Sequence, residues 1–319
     1  MKGVARLIAD GVYEIDTKLG GWDHITAGYL LTGDAPCLIE VGSQSSTQAV
    51  LEEIESLGIG ANDLASVAVT HIHLDHAGAV GDIAAAFPNA DVYVHERGAR
   101  HLADPERLIS SAAMVYGELL DTLYGRMAPT EVARIKVVGD GDFVELSPNR
   151  RVEVINSPGH AKHHLGYFDP QSGLVFTGDA AGVLLPEVRM LRPATPPADF
   201  DLDAALTSLE KFRERSPQGL AFAHYGLFGS PAELLDEAED ALIAWAEVAE
   251  RAYRNERDIV EELTSEFTVS LEGVGAEAME RFEVLIGVHS NAAGLKLWLD
   301  RGGSTEHAHE IAPHHHHRH

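Results

Sequence analysis

Cysteine is almost absent from this chain of 319 residues: Cys37 is its only one, so no intrachain disulfide can form. The strand-like context Cys37-Leu-Ile39 predicts a buried structural thiol. Long apolar runs are lacking too. None reaches the length of a membrane span, and Met1-Lys-Gly-Val-Ala-Arg6 has no signal-peptide apolar stretch, so the expected compartment is the cytoplasm, with no membrane partner. Positive charge is scarce, with 24 Lys and Arg against 50 Asp and Glu, and most of the cations are arginine. A net charge of -26 argues against nonspecific nucleic-acid binding, which draws on clustered cations to displace counterions. No serine or cysteine sits in a recognisable nucleophile elbow. A hydrophobic content of 45% excludes wholesale disorder, and the length suits one large domain, or a domain with an appendage.

Histidine, by contrast, is plentiful, and its placement carries the most information. The run Thr70-His-Ile-His-Leu-Asp-His-Ala-Gly78 holds His71, His73, Asp75 and His76, directly after the apolar stretch from Leu64 to Val69. Residues two apart on an extended chain point the same way, so His71 and His73 can share one metal ion. Asp75 and His76 follow where the chain turns toward a helix, and they can face a second ion. Imidazole and carboxylate donors suit Zn²⁺ first, with Fe or Mn as alternatives, and need no thiolate. Isolated histidines are usually surface or satisfied core residues, but this density past a strand end is not isolation. Downstream, His160 in Ser157-Pro-Gly-His160, Asp179 in Phe176-Thr-Gly-Asp179 and His224 in Phe222-Ala-His-Tyr225 each follow a predicted strand, where loops on a rigid sheet carry function.

Strands are expected at 12–15, 27–31, 37–41, 92–94, 135–138, 143–146 and 152–155, with a hairpin of 165–168 and 174–177 turned by Asp169-Pro-Gln-Ser-Gly173. Helices are expected after Ser45 or Ser46, over about 78–87, and through Leu202, Leu206, Leu209 and Phe212. This alternation suggests an α/β (α+β) protein with two packed sheets and helices outside. The segment 97–134 reads as a helical insert, either an extra packing layer or a cap whose Met and Tyr side chains wall the site. Residues 231–301 read as a helical extension whose stripe of Leu234, Leu235, Leu242, Ile243 and Trp245 is core or a homodimer contact. The His-rich stretch 302–319 shows no apolar periodicity and is expected to be disordered.

With these residues in this order, the chain resembles the metallo-β-lactamase superfamily over about residues 10 to 230. The resemblance implies a four-layer αββα sandwich forming a catalytic domain over 1–230, with two divalent metal ions at one edge. His71, His73 and His160 would hold the first ion, Asp75, His76 and His224 the second, and Asp179 would bridge them. It implies a dinuclear hydrolase in which Asp179 sets the metal separation and Asp75 orients a bridging hydroxide, with His163, His164 and Tyr225 as candidate proton donors or supporting residues.

Departures from subfamily patterns bear on the substrate. His73 stands where the iron flavoprotein branch has glutamate. Asp179 is present, unlike in true β-lactamases of this superfamily. Ala180-Ala-Gly-Val follows it, rather than the Gly-Cys-Gly-Arg-like stretch of glyoxalase II and persulfide dioxygenases. Gly182 occupies the position of the lactonases' catalytic tyrosine, and Leu74 that of a glycine preferred by transfer-RNA-processing nucleases, whose basic arm is missing. The expected activity is cleavage of an ester, thioester or lactone of a small molecule. A phosphodiesterase or nuclease on the same ions, and a non-catalytic metal-binding or regulatory protein, are the alternatives.

Overall fold

The structure is a computed structural model that describes residues 5–184, 190–267 and 275–313. Contacts within the chain divide it into two units: Met1–Asn156, His163–Gly178 and Gln218–Gly229 form the first, and Ser157–Lys162, Asp179–Pro217 and Ser230–His319 the second.

The first unit contains two sheets. One has the order β1 (Arg6–Ala9), β2 (Val12–Asp16), β3 (Ala27–Leu31), β4 (Cys37–Ile39), β5 (Ser66–Ala68), β6 (Asp91–Val94), β7 (Ile135–Val137). It is antiparallel from β1 to β4, where connections are short, and parallel from β4 to β7, where helices make the crossovers. Those helices are α1 (Thr47–Ser56), α2 (Leu74–Ala77), α3 (Val80–Ala86), α4 (Glu96–Ala103) and α5 (Glu106–Tyr116), followed by a π-helical turn at Leu120–Tyr124. The expected insert is thus the crossover from β6 to β7.

The second sheet has the order β15 (Gly226–Phe228), β14 (Gly219–Phe222), β11 (Leu174–Gly178), β10 (Leu165–Asp169), β9 (Arg150–Asn156), β8 (Phe143–Ser147), with β11 and β14 parallel. The hairpin of β10 and β11 turns as its residues require. Gly173 takes a φ of 73°, its N–H donates to Asp169 O at 2.8 Å, and the Ser172 hydroxyl donates to Asp169 Oδ2 at 2.6 Å.

Strands β3 and β11 are buried at every position, as strands covered on both faces must be. One apolar core joins the two sheets, with Tyr29, Leu31, Ile39 and Ala68 from the first and Val154, Leu165, Tyr167 and Phe176 from the second. A buried phenol needs an acceptor, and Tyr29 and Tyr167 find theirs across the sandwich. Tyr29 donates to Phe222 O at 2.6 Å and Tyr167 to Val69 O at 2.7 Å. Arg150 adds a third tie: it pairs with Asp169 at 2.7 Å and donates to Thr32 O at 2.8 Å and Gly11 O at 3.2 Å. Cys37 lies in this core, 1% exposed, and burial pushes its thiol up to about 12.

The second unit is mainly helical: α6 (Leu202–Glu214), α7 (Pro231–Arg254), α8 (Ile259–Glu266), α9 (Ala276–Ile286), α10 (Val288–Asp300) and α11 (Ala308–Ile311), with a short hairpin of β12 (Val183–Leu184) and β13 (Leu191–Arg192). Leu235, Leu242, Ile243 and Trp245 on α7 are buried, so the apolar stripe is core here. Asn291 on α10 ties down the segment after β13, accepting from Thr195 N at 2.8 Å and donating to Pro193 O at 3.0 Å. Arg213 on α6 binds Asp236 at 2.7 Å and Glu239 at 2.6 Å on α7. The dividing line therefore differs from the boundary expected at residue 230, because 179–217 belongs with the C-terminal helices.

Disorder over 302–319 is overturned for 302–313. Those residues fold because Ala308 and Ala312 are buried and the Thr305 hydroxyl bonds Glu250 on α7. Residues 314–319 lie outside the described ones.

Candidate metal centre

The histidine-rich run leaves the sandwich at the carboxyl end of β5, and its local folding sets the site. His73 is extended at φ -60°, ψ 147°, and caps α2, where the N–H groups of His76 and Ala77 return to its carbonyl at 3.0 and 2.9 Å. That single helical turn swings Asp75 and His76 to where they meet His224, which follows β14. In the first unit the structure brings His71, His73, Asp75, His76 and His224 together: ring centroids lie 4.6 Å apart for His71 and His73, 4.1 Å for His71 and His76, and 4.8 Å for His76 and His224. Asp75 Oδ2 sits 3.3 Å from His76 Nε2 and 3.0 Å from His224 Nε2, and the two nitrogens are 3.1 Å apart.

The hydrogen bonds on the far side of each ring define what these atoms offer. His76 Nδ1 lies 2.6 Å from the buried carboxylate Oε2 of Glu40, and His224 Nδ1 lies 3.0 Å from Ile25 O. Both acceptors require an Nδ1–H, which leaves each neutral imidazole with a lone pair on Nε2. Two lone pairs and a carboxylate oxygen then converge within a space whose ligand atoms all lie within 4.8 Å of one another. Three acceptors at that range repel unless a cation, proton or metal, sits among them, so the donor set fits a divalent ion. Burial works to raise the pKa of Asp75, but in the metal-free protein the facing His76 and His224, carrying the proton that the three acceptors require, outweigh it and hold the carboxyl well below the usual range. The Asp75 side chain is 19% exposed while His76 and His224 are nearly enclosed, so the cluster opens to solvent on the Asp75 side.

In the second unit the same grammar recurs. His160 Nδ1 faces Ala194 O at 3.1 Å, and its Nε2 faces Asp179 Oδ2 at 3.3 Å. Gly159, at φ 133°, packs so closely on α6 that a Cβ would fall 2.4 Å from the Ala205 Cα, which fixes the approach to His160.

Of the candidate proton donors, His163 and His164 stand beside ligand rings and Tyr225 lies in the core. His163 accepts from Ile72 N–H at 3.3 Å and stands edge-on to His73 at 5.4 Å. His164 is fully buried, its ring 4.9 Å from His71, in space left by Gly178, whose Cβ would lie 2.4 Å from His164 Nε2. Tyr225 belongs to the sandwich core; burial, then the Glu14 carboxylate with which its hydroxyl bonds, push its pKa up.

One residue escaped the sequence reading. Glu40 ends the strand-like run Cys37-Leu-Ile-Glu-Val41, and a carboxylate closing an apolar strand is costly unless paired, which was the available signal. It takes a left-handed φ of 68° and accepts from Thr70 N–H at 2.8 Å as well as from His76. Tyr124, one of the tyrosines of the insert expected to wall the site, lies in the π turn, 2% exposed; burial, then the Tyr116 phenol and the charge of Asp75, raise its pKa well above the ordinary value.

A family model described as "Metallo-beta-lactamase superfamily" matches residues 20–224. Among curated proteins, the metallo-beta-lactamase fold-containing protein ST1585 of Sulfurisphaera tokodaii is 29% identical over 164 residues, which are 50% of this chain and 60% of that protein. Its crystal structure superposes with a TM-score of 0.69 at 23% identity, covering 90% of this chain and 98% of that one, a likeness of fold. A hydroxyacylglutathione hydrolase of Erythrobacter litoralis is 27% identical over 139 residues, 41% of this chain and 51% of that one. The N-acyl homoserine lactonase AttM of Azorhizobium caulinodans is 24% identical over 180 residues, 56% and 64% respectively. Each of these sequence matches spans less than two thirds of the relative's own length.

Proposed function

Because this chain belongs to the metallo-β-lactamase superfamily, we propose that it is a metal-dependent hydrolase of a small ester, thioester or lactone. The observation that carries the reading is the convergence of Asp75, His76 and His224, three acceptors that need a cation between them. The ligand set is the one the resemblance implies, His71, His73 and His160 for one ion and Asp75, His76 and His224 for the other, with Asp179 shared and Zn²⁺ the expected metal. When bound, such ions lower the pKa of water to about 7 and polarise the carbonyl under attack. The chain supplies the rest. Glu40 and the Ile25 carbonyl hold His76 and His224 in the tautomer that presents Nε2, and Asp75 orients the attacking water from the solvent side. Hydrolase and lactonase are words from the relatives' names, and they support an acyl substrate here. The acidic charge balance weighs against a polyanionic one.

The test is elemental analysis of protein lacking residues 314–319, followed by p-nitrophenyl butyrate and bis-p-nitrophenyl phosphate assayed side by side. Two transition-metal ions per chain and preference for the carboxylic ester are expected. Preference for the phosphodiester would move the reaction to phosphoryl transfer. A full metal complement with neither activity would favour a binding role.

A further inference from the structure

Ester or lactone cleavage leaves an alkoxide oxygen that must gain a proton, and two of the side chains next to the ligands in sequence are badly placed to give it. His164 is enclosed behind His71, and Tyr225 bonds Glu14 within the sandwich core. The crossover from β6 to β7 brings another phenol near. Tyr124 ends the π turn, a helical irregularity frequent at functional sites, and its ring lies 4.5 Å from that of Tyr116 at 34°.

This turn is fixed relative to the metal helix by a shared support, the loop 43–45. The Ser45 hydroxyl donates to Leu123 O at 2.6 Å, and Gly125 sits so close to Gln44 that a Cβ would fall 2.1 Å from its Oε1. The other side of the same loop meets Gly78 at the end of α2, whose Cβ would lie 2.8 Å from Gln44 N and 2.9 Å from Ser43 Cα. Asp75 and Tyr124 therefore lie on segments packed against one short piece of backbone, and Asp75 is the member of the cluster on the solvent side.

We propose that Tyr124 is the proton donor to the leaving oxygen of an acyl substrate lying against Asp75, filling the role for which position 182 offers only glycine. The inference rests on the hydrolase reading. In the step, the Oη–H bond of Tyr124 breaks as the bond from that proton to the leaving oxygen forms. The phenolate is then reprotonated from water by way of the half-buried Tyr116 hydroxyl, which hydrogen-bonds it.

The test compares wild type and Tyr124→Phe, both Zn²⁺-loaded, on ethyl butyrate and p-nitrophenyl butyrate, with binding of 1-ethoxybutane, an uncleavable ether that keeps the leaving oxygen, measured by calorimetry. Nitrophenolate leaves without a proton, whereas ethoxide does not. The variant should lose about a hundredfold in kcat on the ethyl ester, the low end for general acid catalysis, and about twofold or less on the nitrophenyl ester, with metal content unchanged. 1-Ethoxybutane affinity should fall about tenfold, the scale of one hydrogen bond in an enclosed site. Equal losses on both esters, or none on the ethyl ester, would overturn the proposal. Wild-type inactivity on both esters with the ether still bound would count against the hydrolase reading; undiminished ether affinity in Tyr124→Phe would count against Tyr124, whatever the rates.

Discussion

Replacing Glu40 by glutamine keeps the size of a 3% exposed side chain and removes one acceptor and one charge. The carboxylate serves two donors, Thr70 N–H at 2.8 Å through Oε1 and His76 Nδ1–H at 2.6 Å through Oε2. An amide offers one oxygen, so its NH₂ must face one of the two donors. If the oxygen stays with the Thr70 N–H, the His76 Nδ1–H loses its acceptor, and the ring gains by moving its proton to Nε2. The lone pair aimed at the cluster then disappears. Removing such an outer partner of a metal-bound histidine typically costs about 10–100-fold in metal affinity, or ~1.4–2.7 kcal/mol. The lost charge-assisted bond should also lower the stability of the metal-free protein by about 1.5–3 kcal/mol. Competition for Zn²⁺ against a chromophoric chelator measures the first effect, and urea unfolding of the metal-free protein the second. A Glu40→Gln protein that binds Zn²⁺ within twofold of wild type would refute the tautomer argument, even if it melted earlier.

Acid stability offers a further check on Asp75. Its folded pKa lies below the ordinary 3.8, so its contribution to the metal-free protein is complete above that value and disappears as pH falls through the folded pKa. Asp75→Asn should therefore be less stable than wild type in urea at pH 7, with the gap closing only well below pH 3.8; equal stability at pH 7 would contradict the shift. The Cys37 thiol, 1% exposed and pushed up to about 12, should resist a thiol reagent at pH 8 in the native protein and react on unfolding, and Cys37→Ala should leave metal content unchanged, as spectrophotometric titration and elemental analysis would show. Truncation before Gly302 removes the buried Ala308 and the Thr305 bond to Glu250, and should lower stability by about 2 kcal/mol or more in denaturant titration.

What could be read in the chain beforehand followed from short-range pattern. The strands at 27–31 and 174–177 announce themselves as continuous apolar runs, and the Asp169-to-Gly173 turn carries its own chemistry. The ligand cluster is legible because His71 to His76 lie within one loop. Edge strand β1 was missed because Leu7 is 60% exposed and the strand has no alternating pattern to display. Glu40 matters through Thr70, 30 positions away, and no local period encodes that. Tyr225 looked like a donor because it follows His224; only the sandwich reveals that its side chain points into the core. The division of the chain into units depends on contacts such as Asn291 with Thr195, which join segments far apart in sequence.

The two phenols that cross the sandwich have a consequence for how such a protein could be altered. Tyr167 grips the carbonyl of Val69, two positions before His71, and Tyr29 that of Phe222, two positions before His224. Interior and chemistry therefore share fastenings, and a change that looks purely mechanical is transmitted to ligand strands from both sheets. Tyr→Phe at either place would cost about 1 kcal/mol in folding, a sum easily made up elsewhere. A library screened for heat resistance could accept that trade while ion affinity drifts unseen. A screen that also reads metal binding has no such freedom: the loops can diversify, but these two hydroxyls anchor what the loops must not move.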